Sequence, residues 1–337
     1  MRLIFHAPNV HQGGGKTLLR AALQGVGATQ PCALIADARL DLRQLPAHIV
    51  VETFAPTIAG RLGAESRLRS LAASGDVVLC MGNLPPLLAC AGRVSVFLQN
   101  RYLCDDVSLR GFAPQVRLRI GVERLWLKLR LRPGMCVLVQ TTSMQEAVRQ
   151  YLGVEALIMP FIARGVPAMR REANSGRARL LYPASAEPHK NHTVLLAAWR
   201  ILHQSGVDAE LHTTVEEKSA LAGEIEQARN AGVAVVNHGS LEAQGLAELY
   251  RTCTALVFPS GLESFGLPLL EAQAAGLPIV AAERDYVRDV VEPVETFDPE
   301  SPVSIARAVR RLLGSPERPA PPLAPAEFIA RIVADRV

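Results

Sequence analysis

Short apolar runs rich in β-forming residues recur along the whole of this chain, and they show no clean alternation of apolar with polar side chains. Strands buried on both faces read this way, whereas a strand with one wet face alternates. Helical patterns fall between most of the runs, so crossovers join the strands and the resulting sheets are parallel and doubly wound. A first set of strands is expected at residues 1–7, 32–36, 49–54, 77–81, 94–98, 135–140 and 156–159, with helices at 16–24, 58–73 and 143–151. A second set is expected at 179–183, 210–213, 233–237, 255–259, 278–281 and 294–297, with helices at 193–203, 217–230, 243–251 and 267–275.

The fold class is therefore α/β, with two Rossmann-like, doubly wound parallel-sheet domains facing a cleft. The boundaries read as an N-terminal domain over residues 1–164, a linker over 165–177, a C-terminal domain over 178–315 and a tail over 316–337. In the tail, a Pro/Ala-rich stretch precedes a short amphipathic helix at 326–336 that is expected to pack back on the first domain. Length and the 49% hydrophobic content agree with two ordinary cores and exclude a disordered chain. The most membrane-like stretch, 77–92, carries Asn83 and is broken by Pro85-Pro86, well short of the ~20 apolar residues a spanning helix needs. With too short an apolar run at its start for a signal peptide, the chain is expected in the cytoplasm. Six cysteines without a C-x-x-C pair argue against a disulfide framework or a thiolate zinc site.

In tandem open α/β sheets, ligands sit at the carboxyl ends of the strands. The first strand runs into residues 8–15, ending in Gly13-Gly14-Gly15, and a helix expected from Lys16. Glycines at a strand-to-helix turn expose backbone N–H groups and a positive helix end to a phosphate. It is not a Walker A loop, because the glycine required five residues before Gly15 is Val10; G-x-G-x-x-G fails at Leu18. Residues 258–272, Phe-Pro-Ser-Gly-Leu-Glu-Ser-Phe-Gly-Leu-Pro-Leu-Leu-Glu-Ala, place Glu263 in the loop after a strand and Glu271 about one turn into the next helix. A charged residue in so apolar a segment is hard to justify as core, and a carboxylate can accept both hydroxyls of a ribose.

This E-x7-E segment, followed by Ala274-Ala275-Gly276-Leu277-Pro278, resembles the donor-site signature of family 4 retaining glycosyltransferases of the GT-B fold. Residues 181–192, which include Ser185, His189, Lys190 and His192, are similar to the strand and loop where that family holds a phosphate-binding lysine. The resemblance implies that Glu271 binds the donor ribose, Glu263 the transferred sugar, and Lys190 the diphosphate, with Glu263 and Lys190 as the catalytic pair. It implies further donor contacts from the backbone at Ser264, Phe265, Gly266 and Leu267, and from Gly14 and Gly15 across the cleft. Two departures stand out: Ser185 where the family has an arginine, and Gln99-Asn100 where many members have a histidine. Gln99, Asn100 and Arg101 are taken as acceptor-side candidates. With no D-x-D in the chain, the implied chemistry is metal-independent, needs no cofactor, and proceeds with retention by front-face attack of the acceptor hydroxyl. His189 and His192 make at most half a metal site.

The net charge of +4 divides into +9 over residues 1–165 (19 Lys and Arg against 10 Asp and Glu) and −5 over 166–337 (17 against 22). Residues 110–132 hold seven cations against Glu123 alone, interleaved with apolar residues. Read as a surface element, this segment would present Arg117, Arg124, Trp126, Lys128 and Arg130 to an anionic membrane. Read as core, it is a buried helix with an arginine-rich outer face. Nucleic acid is disfavoured because stacking aromatics are scarce. Together these features predict transfer of a sugar from a nucleotide diphosphate sugar to a glycan acceptor, expected to be lipid-linked, in cell-surface polysaccharide or lipopolysaccharide biosynthesis. The alternatives are a nucleotide-sugar epimerase of GT-B fold and a non-catalytic nucleotide-sugar-binding subunit.

Overall fold

The computed structural model describes residues 1–43, 45–161 and 177–317. Its first sheet holds β1 (Leu3–Ala7), β2 (Cys32–Asp37), β3 (Ile49–Phe54), β4 (Val77–Cys80), β5 (Arg93–Phe97), β6 (Cys136–Val139) and β7 (Ala156–Ile158), in the order β3-β2-β1-β4-β5-β6-β7. The second holds β8 (Ala178–Tyr182), β9 (Ala209–Thr213), β10 (Val235–Asn237), β11 (Ala255–Phe258), β12 (Ile279–Ala282) and β13 (Glu295–Phe297), in the order β10-β9-β8-β11-β12-β13. Every pairing is parallel. Strand order reverses between β1 and β4 and again between β8 and β11, and each reversal leaves a crevice at the carboxyl ends.

The absent alternation in the strands has a direct cause. Ile4 and Ile35 face one side of the first sheet, packing with Leu68 of α2 (Ile58–Leu71), Leu127 of α3 (Pro114–Arg130) and Val148 of α4 (Thr142–Leu152). Phe5, Leu34 and Ala36 face the other, against Leu18, Leu19 and Leu23 of α1 (Gly13–Gln24). Successive residues of β1 and β2 thus enter two different cores. In the second domain one continuous cluster joins Trp199 of α5 (His192–Gln204), Ile225 of α6 (Ala220–Asn230), Tyr250 of α7 (Ala243–Thr252), Leu269 of α8 (Leu267–Ala274), Tyr286 of α9 (Asp285–Arg288) and Val309 of α10 (Pro302–Leu312).

One boundary differs from expectation in a way that matters. Helix α1 begins at Gly13, not Lys16, so the three glycines form its first turn and not a loop before it; Gly13 enters at φ +63°. Most of the expected linker and the tail helix lie outside the described residues. The domains touch directly: the Ser143 N–H at the start of α4 donates to Asp289 Oδ2 at 2.8 Å, and Thr141 Oγ1 donates to the Ser264 carbonyl at 3.1 Å. Among the described residues no helix is long and apolar enough to cross a membrane.

Candidate active site between two helix ends

A cleft of about 470 Å³ opens where the two switch points face each other. Gly13, Gly14 and Gly15 of α1 line one wall; Lys190, Glu263, Ser264, Phe265, Gly266, Leu267 and Glu271 line the other. Neither α1 nor α8 has a side-chain cap or an acidic residue in its first turn. Their first N–H groups lack intrahelical partners, and both positive dipole ends meet in the same space. A Cβ on Gly14 would sit 3.5 Å from Leu267 Cδ1, so any side chain there would fill the gap between the two helix ends. Gly266 stands at φ +74°, where a Cβ would come 2.9 Å from Leu269 Cδ1, and only glycine fits.

Lys190 follows β8 at the end of a short 3-10 turn over Pro188–Lys190. The buried Tyr182 hydroxyl donates to the Lys190 carbonyl at 2.6 Å. Asn191, left-handed at φ 62°, donates from Nδ2 to the Pro259 and Pro299 carbonyls, which ties this turn to the loop carrying Glu263. The Lys190 Nζ donates to Glu263 Oε1 at 2.6 Å. Among the described residues Lys190 is the only cationic side chain lining the cleft. Ser185, at the position of the expected arginine, lines the cleft and donates its hydroxyl to Glu187. The positive potential here therefore rests on one ammonium and two helix ends.

Glu271 accepts from the Tyr250 hydroxyl at 2.8 Å through Oε2, and burial pushes its carboxyl above the usual range. Tyr250 and Gln140, which also lines the cleft, were not legible as site residues; one sits in the last turn of α7 and the other just past β6, in no motif. The two loop histidines diverge. His192 donates from Nε2 to the Ser185 carbonyl at 2.9 Å, and burial lowers its pKa to about 4. His189 turns its ring to the edge of Tyr102 at 5.4 Å, and they share no ligand geometry.

The acceptor-side trio separates. Gln99 reaches the cleft: its Nε2 donates to the Met81 carbonyl at 3.1 Å, while its buried Oε1 has no hydrogen-bond partner. Asn100 instead caps the turn over Arg101–Leu103, accepting from the Tyr102 N–H at 3.1 Å. Arg101 bonds Asp105 Oδ2 at 2.7 Å and lines a separate cavity of about 520 Å³ near the domain junction.

The basic segment is helix α3, but not with the expected face outward. Arg124 donates to the Tyr102 and Asp105 carbonyls at 2.7 and 3.0 Å, Arg130 to the Leu87 carbonyl, and Trp126 Nε1 to the Pro85 carbonyl at 3.0 Å. These three turn inward, where part-buried loop carbonyls need donors. Arg117 and Lys128 remain exposed, with Lys128 Nζ 4.0 Å over the Tyr151 ring.

Two parallel-sheet domains with a glycine-lined cleft at facing switch points define a protein of the GT-B fold. Residues 168–321 match the family model described as glycosyl transferases group 1. Over 236 residues, 66% of this chain, it is 26% identical to the serotype-specific mannosyltransferase WbdA of Escherichia coli. Over 133 residues, 39% of this chain, it is 33% identical to a D-inositol 3-phosphate glycosyltransferase of Acidothermus cellulolyticus. It spans 26% and 29% of the lengths of those two proteins. The fold is similar to that of Anabaena HepE solved with UDP and glucose, with a TM-score of 0.68 at 16% identity covering 93% of this chain and 90% of the other. It is likewise similar to WaaG, a glycosyltransferase involved in lipopolysaccharide biosynthesis, with a TM-score of 0.65, 16% identity and the same shares covered.

Proposed function

We propose that the chain moves a sugar from a nucleotide diphosphate sugar to a lipid-linked glycan, with retention and without a metal or cofactor, in assembly of a cell-surface polysaccharide such as lipopolysaccharide. The observation that carries this reading is the pair of uncapped helix ends opposed across one cleft with Lys190 between them. A diphosphate satisfies both sets of free N–H groups, and the negative charge that builds as it departs is met by these groups and the ammonium. Glu271 accepts from the ribose hydroxyls. Glu263 pairs with Lys190 and contacts the sugar hydroxyls when the ammonium turns to phosphate. The mannosyltransferase and lipopolysaccharide relatives support a glycan acceptor, which the protein meets as a peripheral enzyme on the cytoplasmic face of the membrane.

The test is a calorimetric panel of UDP, GDP, ADP and dTDP, each without and with magnesium, on wild type and Glu271→Ala. One nucleotide binding without metal and weakened by the substitution supports the site; binding that requires metal, or that ignores the substitution, sinks it. Incubation with the matching nucleotide sugar and a lipid-linked acceptor then separates transfer from epimerisation or binding alone, and the anomeric configuration of the product tests retention.

A further inference from the structure

The donor cleft has a neighbour. A second cavity, of about 520 Å³, lies between α4 of the first domain and α9 of the second, and both domains build it. One wall parts the two chambers: Thr141 Oγ1 donates to the Ser264 carbonyl at 3.1 Å, and Ser264 directly follows Glu263. Gln99 and Gln140 line the donor cleft, while Arg101 and Thr142, two residues further along the same loops, line the second cavity. Two residues of chain span at most about 7 Å, so the chambers stand roughly one sugar ring apart. The Tyr286 hydroxyl of α9 donates to the Ser260 carbonyl at 2.6 Å, which ties α9 to the loop that carries Glu263.

The carboxylates of Asp105, Glu146, Asp285 and Asp289 line this cavity against the guanidiniums of Arg101 and Arg288. Both cations are already matched: Arg101 donates to Asp105 Oδ2 at 2.7 Å, and Arg288 to Glu283 Oε2 at 2.8 Å and Glu292 Oε1 at 2.6 Å. The start of α4 is where an anion would otherwise settle. Its Ser143 N–H is taken by Asp289 Oδ2 at 2.8 Å and its Met144 N–H by Thr141 Oγ1 at 3.3 Å. Asp285 has no hydrogen-bond or ion-pair partner among the described residues. Its carboxylate, with the second oxygens of Asp105 and Asp289, offers open acceptors to hydroxyl groups. We infer that this cavity seats the terminal sugar of the acceptor, that the donor domain supplies part of the seat through Asp285 and Asp289, and that the sugar it takes is uncharged. A phosphorylated sugar or a sugar acid would set its anion against open carboxylates and a helix end that the protein fills itself. This deepens, and rests on, the reading of transfer to a glycan.

The experiment is a saturation-transfer NMR titration of the full chain with methyl α-mannoside, methyl β-glucoside, methyl β-glucuronide and mannose 6-phosphate, on wild type, Thr142→Trp and Asp285→Ala. Thr142 is exposed in the first turn of α4, so a tryptophan there fills the cavity without entering the core. At least one neutral glycoside binds wild type, and the two anionic probes bind about tenfold or more weakly. Each variant weakens the neutral probe by about tenfold while nucleotide affinity, measured on the same samples, stays at the wild-type value. Neutral glycosides that bind both variants as tightly as wild type overturn the seat, as does a wild type that binds neither glycoside. Anionic probes that bind as well as the neutral ones overturn the selection by charge. The nucleotide measurement separates the two readings: a wild type that takes glycoside and no nucleotide strikes the donor site, and one that takes nucleotide and no glycoside strikes the seat alone.

Discussion

The two domains share a parallel topology and each places its chemistry at a switch point, yet they brace that chemistry with different side chains. In the second domain three buried phenols do most of it, beside the Asn191 amide. Tyr182 holds the Lys190 carbonyl, Tyr250 holds Glu271, and Tyr286 donates to the Ser260 carbonyl at 2.6 Å in the loop that carries Glu263. In the first domain short amides link one loop to the next: Asn9 Nδ2 donates to the Gly82 carbonyl at 3.0 Å, the Gln99 N–H to Asn83 Oδ1 at 2.5 Å, and Gln99 Nε2 to Met81. A phenol on a rigid ring fixes a backbone atom from within the core, as a site for one invariant ligand part requires. Amides between loops hold the strand ends beside the glycine wall in place. The second domain is braced mainly from within its core, and the first by bonds from loop to loop.

The comparison breaks most visibly at Lys190. Lys190→Ala is expected to lower the transfer rate by about 10²–10³, the usual cost of removing one preorganised donor to a developing anion. Steady-state rates at saturating donor check this, and a loss under tenfold would move the burden to the helix ends. Next comes Glu271→Ala, which removes charge-assisted bonds to ribose and weakens nucleotide binding by about 1.5–3 kcal/mol, or one to two decades. Tyr250→Phe should cost less, about 1 kcal/mol, because it unpins the carboxylate without removing it. If the phenylalanine variant binds as poorly as the alanine variant, the bracing tyrosine matters as much as the ligand itself.

Acid separates the domains in another way. Each has a buried neutral histidine: His6 in β1, with its pKa driven by burial and the Arg61 charge from 6.5 to about 3, and His192 at the start of α5, driven from 6.5 to about 4. Both values are depressed in the fold, so stability is full above pH 6.5 and is lost as the unfolded chain takes up protons that the fold refuses. Each pH unit below 6.5 costs about 1.4 kcal/mol per histidine, down to the folded value. The His192 contribution stops falling near pH 4, while that of His6 continues toward pH 3. Glu65 does not rescue His6: its Oε1 stays 3.6 Å from His6 Nε2, too far for a hydrogen bond, while the carboxylate accepts from Arg61 Nε at 2.9 Å and the Leu87 N–H at 2.8 Å. The chain's two tryptophans, Trp126 and Trp199, lie one in each domain, so urea titrations of Trp126→Phe and Trp199→Phe by fluorescence read each unit separately. Replacing His6 by Gln should remove acid sensitivity of the first-domain signal down to about pH 3, and His192→Gln that of the second down to about pH 4; variants as acid-sensitive as wild type would contradict this ordering.

Sequence made the second domain legible to the residue because E-x7-E is local: a strand end, a left-handed glycine and one helical turn fix both carboxylates. The parallel, doubly wound class of the first domain was legible because strands buried on both faces leave a composition signal. What stayed hidden needs contacts at long range. Nothing near Tyr250 marks it as the partner of a carboxylate 21 residues away, and nothing in the run 110–132 says which arginines meet loop carbonyls. A basic amphipathic pattern reveals two faces but not which one is outside, and here the tryptophan pointed the wrong way because its indole N–H had a carbonyl to satisfy.

Gln99 offers the finest test of how the first domain is braced. Its Oε1 is buried against the α1 glycines, 3.7 Å from where a Gly15 Cβ would be, and has no donor of its own. A buried acceptor without a partner costs free energy unless a ligand supplies the hydrogen, and a sugar hydroxyl in the cleft is the group placed to do so. Gln99→Leu keeps the volume and removes that acceptor, so kcat/KM for sugar transfer should fall by about 0.5–1.5 kcal/mol, less than tenfold to slightly more. Affinity for the nucleotide diphosphate alone should not change, because the diphosphate is met by the two helix ends and Lys190 and not by the Gln99 Oε1. Should diphosphate affinity fall in step with the rate, the role of Gln99 is to hold the glycine turn through Met81.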